Sequence, residues 1–217
     1  MINLSKLNKE IEALPKKDKA KQLNILIKRY YLEKDFVEYN EEILKENVLA
    51  AKAFFFINCK LIKKPEDKFM LIDQYKGIFY YWYSTDSIIS LVSKCDFNFM
   101  FNKAKNYVHD WQTYTRRWGW VMFISHPCKK DEKCAKKLLT LLHDDQKETN
   151  QMAQAWLLCE LAVFHPELIY KYLTNCKLSY RIISKAVSKI TDSYRISDDN
   201  KKKFRQIRYD YYKDIRK

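Results

Sequence analysis

The sequence predicts an all-α protein made of short, paired helices. Only two Gly and four Pro occur among its 217 residues, so the chain lacks the turn residues that a many-stranded β protein needs. Apolar residues recur at helical spacing along most of the chain, and short polar segments separate these stretches. The length suits one domain, taken as residues 1–217, and 47% hydrophobic residues are enough to build a buried core.

The first third of the chain is expected to form three helical segments. Two helices are predicted within residues 1–35, where Pro15 ends the first and the apolar positions are Leu4, Leu7, Ile11, Leu23 and Ile27. A third helical region is expected at about 41–62, where several Ala residues favour helix. The polar segment 63–67 then predicts a loop.

Helical periodicity resumes near Phe69 and is expected to break near residues 84–86. There Thr85 or Asp86 could cap a short helix at 87–94. Later helices are expected at about 97–109, 113–125, 131–142, 149–164, 167–174, 179–190 and 199–216. The apolar block 118–124 could be a buried strand by periodicity alone, but no partner strand is evident nearby, so we expect a buried inner helix.

A weak internal repeat supports stacked helical pairs. The dipeptide His126-Pro127 recurs as His165-Pro166, at an offset of 39 residues. The same offset carries Arg117 onto Trp156, so the helices around these two residues are expected to be equivalent elements of successive units. A period near 40 residues is typical of HEAT-like helical repeats.

Composition excludes several classes of enzyme and favours an anionic partner. The chain contains no Rossmann fingerprint, P-loop or nucleophile elbow, because each of these motifs needs glycines that are absent. Lys and Arg total 41 against 27 Asp and Glu, a formal charge of +14 that favours binding of polyanions such as nucleic acid. An AT-rich genome is the alternative explanation, since the chain is also rich in Asn, Ile and Tyr.

The six cysteines indicate reduced thiols in a cytoplasmic protein. They form no Cys-x-x-Cys pair, and most lie in apolar helical stretches. We expect no signal peptide, because residues 1–6 run straight into charged residues, and no apolar run reaches the ~18 residues that a membrane span requires. His126, Cys128 and Cys134 lack the usual spacing of zinc ligands, so neither a metal nor a cofactor is expected.

Two tryptophans and a carboxylate are the first candidates for chemistry. Trp82 and Asp86 are four residues apart, so on a helix they share one face. Asp86 could instead be a helix N-cap, a role that is compatible with a catalytic one. Trp156 lies on an apolar helical stripe with Met152 and Cys159, where a core position is the alternative to a site.

Several cations are candidates for binding phosphate. Arg117 follows Arg116 at the start of an apolar run, and a guanidinium matches phosphate oxygens well. The alternatives are a surface pair or a snorkelling side chain. Lys201, Lys202 and Lys203 open a basic amphipathic helix that could lie along phosphates or could only keep this end soluble.

These residues resemble the DNA alkylation repair family of AlkD-like glycosylases over roughly residues 70–195. The family's Trp-x-x-x-Asp matches Trp82 and Asp86, its later Arg matches Arg117, and its next Trp matches Trp156. The segments 166–168 (Pro-Glu-Leu) and 193–195 (Ser-Tyr-Arg) also resemble branches of the family. The best-known members carry a second Arg three residues after that Trp, where this chain has Cys159.

The resemblance implies an enzyme that removes cationic N3- or N7-alkylated purines from duplex DNA without a base-flipping pocket. Asp86 would stabilise the oxocarbenium ion, Trp82 and Trp156 would face the sugar, and Arg117 would hold a phosphate. The implied architecture is a monomeric, right-handed α-solenoid with DNA on a concave basic face. Two alternatives are a non-catalytic member that binds distorted or branched DNA, and a scaffold for a protein partner.

Overall fold

The computed structural model describes the backbone of residues 1–215 and the side chains of residues 1–211. This part of the chain contains thirteen α-helices and no β-strand, which confirms the predicted all-α fold class. An isolated β-bridge joins Ile2 and Val37. No helix in this part of the chain is long and apolar enough to cross a membrane.

The chain forms two compact units, the first spanning Met1–Asp96 and the second beginning at Phe97. The helices of the first unit are α1 (Leu4–Glu12), α2 (Lys19–Leu32), α3 (Glu41–Glu46), α4 (Val48–Leu61), α5 (Pro65–Gln74) and α6 (Trp82–Asp86). Two 3₁₀ turns, Lys76–Ile78 and Ile89–Val92, flank α6. The central helix is α4, which packs against α1, α2 and α3 through buried Ala and Phe side chains.

Three predicted boundaries in the first unit are wrong: the loop expected at 63–67 ends early because α5 begins at Pro65, and the other two errors have a local cause. The single helix expected at about 41–62 is two helices, because the Asn47 side chain accepts hydrogen bonds from Leu49 N (3.0 Å) and Ala50 N (3.4 Å) and starts α4 afresh. The break expected near residues 84–86 lies earlier, after Gln74. A new helix then starts at Trp82, where Tyr81 N donates to the hydroxyl of Ser84 (3.3 Å).

The helices of the second unit are α7 (Phe97–Tyr107), α8 (Thr113–Val121), α9 (Glu132–Leu139), α10 (Glu148–Phe164), α11 (Pro166–Asn175), α12 (Tyr180–Asp192) and α13 (Asp198–Ile215). The long helix α10 is central and packs against α8, α11 and α12, while α13 packs against α11 and α12. The block 118–124 is buried throughout, and helix α8 ends within it at Val121. The expectation of a buried inner helix is thus confirmed as far as Val121.

The internal repeat has a structural counterpart in the second unit. His126 precedes the 3₁₀ turn Pro127–Lys130, and His165 precedes α11, which also begins with Pro. Arg117 lies on α8 and Trp156 on α10, and these two helices pack against each other. The helical-pair arrangement therefore agrees with the predicted repeat, while the right-handed solenoid and its concave face stay predictions.

Candidate functional site

Trp82 and Asp86 are the first and last residues of the short helix α6. Positions four apart lie on one helical face, so the structure gives the pair the relation that its spacing predicts. Trp82 is 43% exposed, and Asp86 is half-buried. The buried Thr85 hydroxyl lies 3.0 Å from Asp86 Oδ1 and 2.8 Å from Trp82 O, so its single proton can be donated to either oxygen.

Asp86 is not the N-cap that the sequence left open as an alternative. It ends α6, and the next helical turn, Ile89–Val92, begins after Ile88 without any side-chain cap. The carboxylate is therefore not used to start a helix. Because it stands on the same face as an exposed indole, it remains suited to act on a bound molecule.

An aromatic and cationic surface surrounds Trp82. Its ring lies 5.6 Å from that of Tyr81 and 5.7 Å from that of Tyr83. Lys52 of α4 stands 5.9 Å above the Tyr83 ring, and Lys45 of α3 stands 5.2 Å above the ring of Tyr80. Aromatic faces attract cations through their quadrupole, and the lysines add positive charge for an anionic partner.

Arg117 is buried on α8, with only 6% of the residue exposed. Its Nη1 donates to the backbone oxygen of Thr149 and lies 3.3 Å from Thr149 Oγ1, so the guanidinium is anchored to the first turn of α10. The alternatives of a surface pair and of a snorkelling side chain are therefore wrong for Arg117. Its contact with phosphate stays a prediction.

Arg116 holds the loop that leads into α10. Its Nε donates to Asp145 Oδ2 at 2.8 Å, and its Nη1 donates to the backbone oxygens of Asp110 (2.8 Å) and Trp111 (3.1 Å). Burial alone would raise the pKa of Asp145, but hydrogen bonds from Arg116, Lys147 N and the Asn150 amide lower it below the usual value. These contacts give Arg116 a structural role, and its predicted contact with DNA stays a prediction.

Trp156 lies at the surface of α10 and not in the core, so the core alternative is wrong. The indole is half-buried and lines an open groove of about 380 Å³ between α10 and α12. The ammonium of Lys189 stands 6.0 Å from the centre of its ring. The exposed Tyr194 and Arg195 also line this groove.

Cys159 brings no cation to this groove. The thiol is buried, its Sγ donates to the backbone oxygen of Lys189 at 3.4 Å, and burial raises its pKa to about 11. A protonated thiol at this position cannot replace the guanidinium that the best-known members of the resembling family carry there. The departure that the sequence indicates therefore removes a cation from this position of α10.

Glu160 is a functional candidate that the sequence analysis missed. Its buried carboxylate accepts from Lys129 Nζ at 2.6 Å and from both Nη atoms of Arg195. Burial raises the pKa of Glu160, yet the hydrogen bonds from Arg195 and Lys129 lower it below the ordinary value. The sequence feature that could have identified Glu160 is its position as an acid within the apolar stretch 157–163, because a buried charge needs partners.

The three lysines at the start of α13 differ in their surroundings. Lys203 pairs with Glu167 at 2.6 Å, whereas Lys201 and Lys202 lie 3.6 Å and 3.9 Å from Asp198 and Asp199. Lys202 and Lys203 are exposed, and the apolar face of the helix is buried through Phe204 and Ile207. Their predicted contact with phosphate stays a prediction.

All six cysteines are free thiols, as the sequence predicts. Four are buried, and desolvation raises the pKa of Cys59, Cys95 and Cys128 to about 12. Within residues 1–211 no group of three or more His, Cys, Asp or Glu side chains is arranged to hold a metal ion. The predicted site residues are divided between the two units. Trp82 and Asp86 belong to the first unit, and Arg116, Arg117, Trp156 and the lysines of α13 belong to the second.

The chain matches a family model described as DNA alkylation repair enzyme over residues 19–190, and it belongs to that family. The family resemblance is thus confirmed, and the match begins earlier than residue 70, so it takes in helices α2 to α5 as well. The chain matches no curated protein and no solved structure significantly. Membership supports a role in DNA repair, with enzyme activity and DNA as the partner.

Proposed function

We propose that the protein is a DNA glycosylase that releases cationic N3- and N7-alkylated purines from duplex DNA. One observation carries this proposal above the others. Asp86 shares a face of α6 with the exposed indole of Trp82, in a chain of a DNA alkylation repair family. A carboxylate beside an electron-rich ring is suited to stabilise a sugar cation.

The chemistry needs few groups because the substrate is already activated. Alkylation places a positive charge on the base, so the base leaves with the electron pair of the glycosidic bond and needs no general acid. The sugar becomes an oxocarbenium ion, and the Asp86 carboxylate stabilises it and takes a proton from the water that attacks C1′. Trp82 presents an aromatic face to the sugar, Trp156 presents one to the DNA that the second unit binds, and a deep pocket for a flipped base is not required.

The cations of the second unit supply the affinity for DNA in this proposal. Arg117 adds a buried positive charge at the packed start of α10, and Arg116, Lys201, Lys202 and Lys203 extend the field toward phosphates. The protein acts as a monomer on one duplex. It uses no cofactor, since protein carboxylate and water suffice for hydrolysis of an activated glycosidic bond.

The deciding experiment measures free 7-methylguanine and 3-methyladenine after incubation with methylated duplex DNA. We expect the wild type to release both bases and Asp86→Asn to lose at least about 100-fold in rate, because a stabilising charge at the reacting centre is removed. Asp67→Asn is the matched control, since it removes the charge of an exposed Asp in the same unit, on α5. The proposal fails if wild type and Asp86→Asn release equally little base.

A second function, binding of distorted or branched duplex without excision, is favoured by one observation. The groove at Trp156 has a buried thiol, Cys159, where the resembling enzymes have a guanidinium. Salt-dependent binding to duplex DNA without base release would support this function over the glycosylase. The absence of any salt-dependent binding would favour a scaffold for a protein partner.

A further inference from the structure

Helix α12 carries a row of three cations that the predicted site does not include. Arg181, Lys185 and Lys189 follow one another at four-residue intervals and therefore share one face of the helix. Arg181 is exposed, and the two lysines are half-exposed. The opposite face is buried in the core through Ile182, Ile183, Ala186, Val187 and Ile190.

The row lies along the surface where α10 and α12 meet. Arg181 and Lys185 line an open groove of about 410 Å³ together with Glu148 and Gln151 of α10. Lys189 lines the second groove, where its ammonium stands above the ring of Trp156. The three cations thus border two grooves on the same helix within the second unit and do not form an isolated solvated face.

Little negative charge opposes this row. Among the described side chains, neither Arg181 nor Lys189 has a carboxylate within ion-pair distance. Lys185 pairs with Glu148 at 2.7 Å, but the side chain of that Glu is 78% exposed, and such surface pairs contribute little. The buried Glu160 is already neutralised by Lys129 and Arg195, and the remaining acid of the groove, Asp192, is exposed at its end.

We infer that this face of α12 binds consecutive phosphates of one strand of duplex DNA. Four helical residues rise about 6 Å, a spacing comparable to that of neighbouring phosphates along a strand. The hydroxyls of Ser184 and Ser188 lie between the cations in sequence and are suited to donate to phosphate oxygens. The inference deepens the proposed function, since it rests on DNA being the substrate.

Lys189 is the last cation of the row and also lies beside Trp156. The Cys159 thiol of α10 donates to the backbone oxygen of Lys189 at 3.4 Å, so the two residues lie side by side where α10 and α12 meet. The positive charge absent at Cys159 is therefore supplied from the neighbouring helix. A phosphate bound by Lys189 brings its deoxyribose toward the face of Trp156.

The test compares two triple variants that remove equal charge. Arg181, Lys185 and Lys189 are each changed to Gln in one, and Lys133, Lys171 and Lys177 are each changed to Gln in the control. The control lysines are exposed on α9, on α11 and in the loop after α11. Duplex affinity is measured by fluorescence anisotropy over a salt series with undamaged DNA, and folding by circular dichroism.

Each phosphate contact contributes about 0.9 to the slope of log K against log salt concentration. We expect the slope of the α12 triple variant to fall by roughly 3 relative to wild type, and that of the control to stay within about 0.5. The single variant Arg181→Gln, at the most exposed of the three positions, should lower the slope by about 1. It tests the same contact if the triple variant does not fold.

Equal slopes for the two triple variants overturn the inference, even if the wild type releases methylated bases. Salt-dependent wild-type binding without base release counts against the glycosylase only, and the slope difference between the variants then still supports the phosphate row. A wild type without salt-dependent duplex binding overturns both.

Discussion

Glu160 shows how one buried charge connects several elements of the second unit. Its carboxylate joins Lys129, which lies in the 3₁₀ turn Pro127–Lys130, with Arg195, which follows α12. Lys129 also donates to Ile124 O, and its own backbone oxygen lies 3.0 Å from His165 Nε2. Because every one of these groups is partnered, the burial of Glu160 is tolerated.

Removing this charge leaves two cations facing a neutral amide. We expect Glu160→Gln to lower the free energy of unfolding by about 3 kcal/mol, since breaking a buried ion pair strands its partners. Urea unfolding followed by circular dichroism measures this loss. Glu132→Gln is the matched control, because Glu132 pairs with Lys136 on the surface and should cost less than about 1 kcal/mol. Equal losses in the two variants would contradict this account.

The partners of individual side chains are the part of the structure that the sequence predicts least completely. The relation of Trp82 to Asp86 follows from helical spacing alone, and the structure agrees with it. By contrast, the burial of Arg117 depends on Thr149 of a different helix, which no local pattern reveals. Glu160 was missed for the same reason, because its partners are 31 and 35 residues away.

At the scale of elements, Gly119 sets how closely α8 approaches the end of α7. A Cβ at this position would lie 2.8 Å from Val108 Cγ1, 3.1 Å from Val108 N and 3.2 Å from Tyr107 Cβ. Two of these atoms belong to the backbone or the first side-chain carbon, so they cannot rotate away. A glycine inside the apolar helix α8 is therefore required by packing.

We expect Gly119→Ala to destabilise the protein by about 1–3 kcal/mol, because overpacking outweighs the better helix propensity of Ala. The chain offers a matched control in Gly77→Ala, since an added Cβ there meets nothing within 4 Å. That change should leave the stability within about 0.5 kcal/mol or raise it slightly. Thermal unfolding measures the stability of both variants. A Gly119→Ala protein as stable as wild type would contradict the packing argument.

Most helices could be predicted because their apolar periodicity is strong. Helices α7 to α13 each overlap the segment that periodicity indicates, and their ends differ from the predicted ends by at most four residues. The elements missed are short ones, the break at Asn47 and the helix α6, where a single side-chain hydrogen bond decides the boundary. Periodicity over a window averages such one-residue effects away.

The whole molecule should lose stability in two steps as pH falls. Burial lowers the pKa of His143, with a smaller contribution from His109, so the folded state keeps this ring neutral after the unfolded chain has bound a proton. Its stabilising contribution is complete above about pH 6.5 and is lost as pH falls through the folded pKa. Asp145 and Glu160, whose pKa values are also lowered, add a second loss below about pH 4.5.

Urea midpoints at pH 7.5, 5.5 and 4.0 measure these steps. In His143→Gln the fall between pH 7.5 and 5.5 should shrink, whereas the later fall below pH 5 should persist. In Glu160→Gln the fall between pH 7.5 and 5.5 should persist, whereas the fall below pH 5 should shrink. A wild-type midpoint that does not change between pH 7.5 and 5.5 would show that His143 gains its proton equally in both states.

The four buried cysteines bear on how this member of a DNA alkylation repair family tolerates alkylating agents. Agents that methylate purine nitrogens are electrophiles, and sulfur reacts with them as a thiolate. Burial raises the pKa of Cys159 to about 11 and those of Cys59, Cys95 and Cys128 to about 12, so these thiols stay protonated at pH 7. We therefore expect alkylating agents to modify these four thiols more slowly than an exposed cysteine.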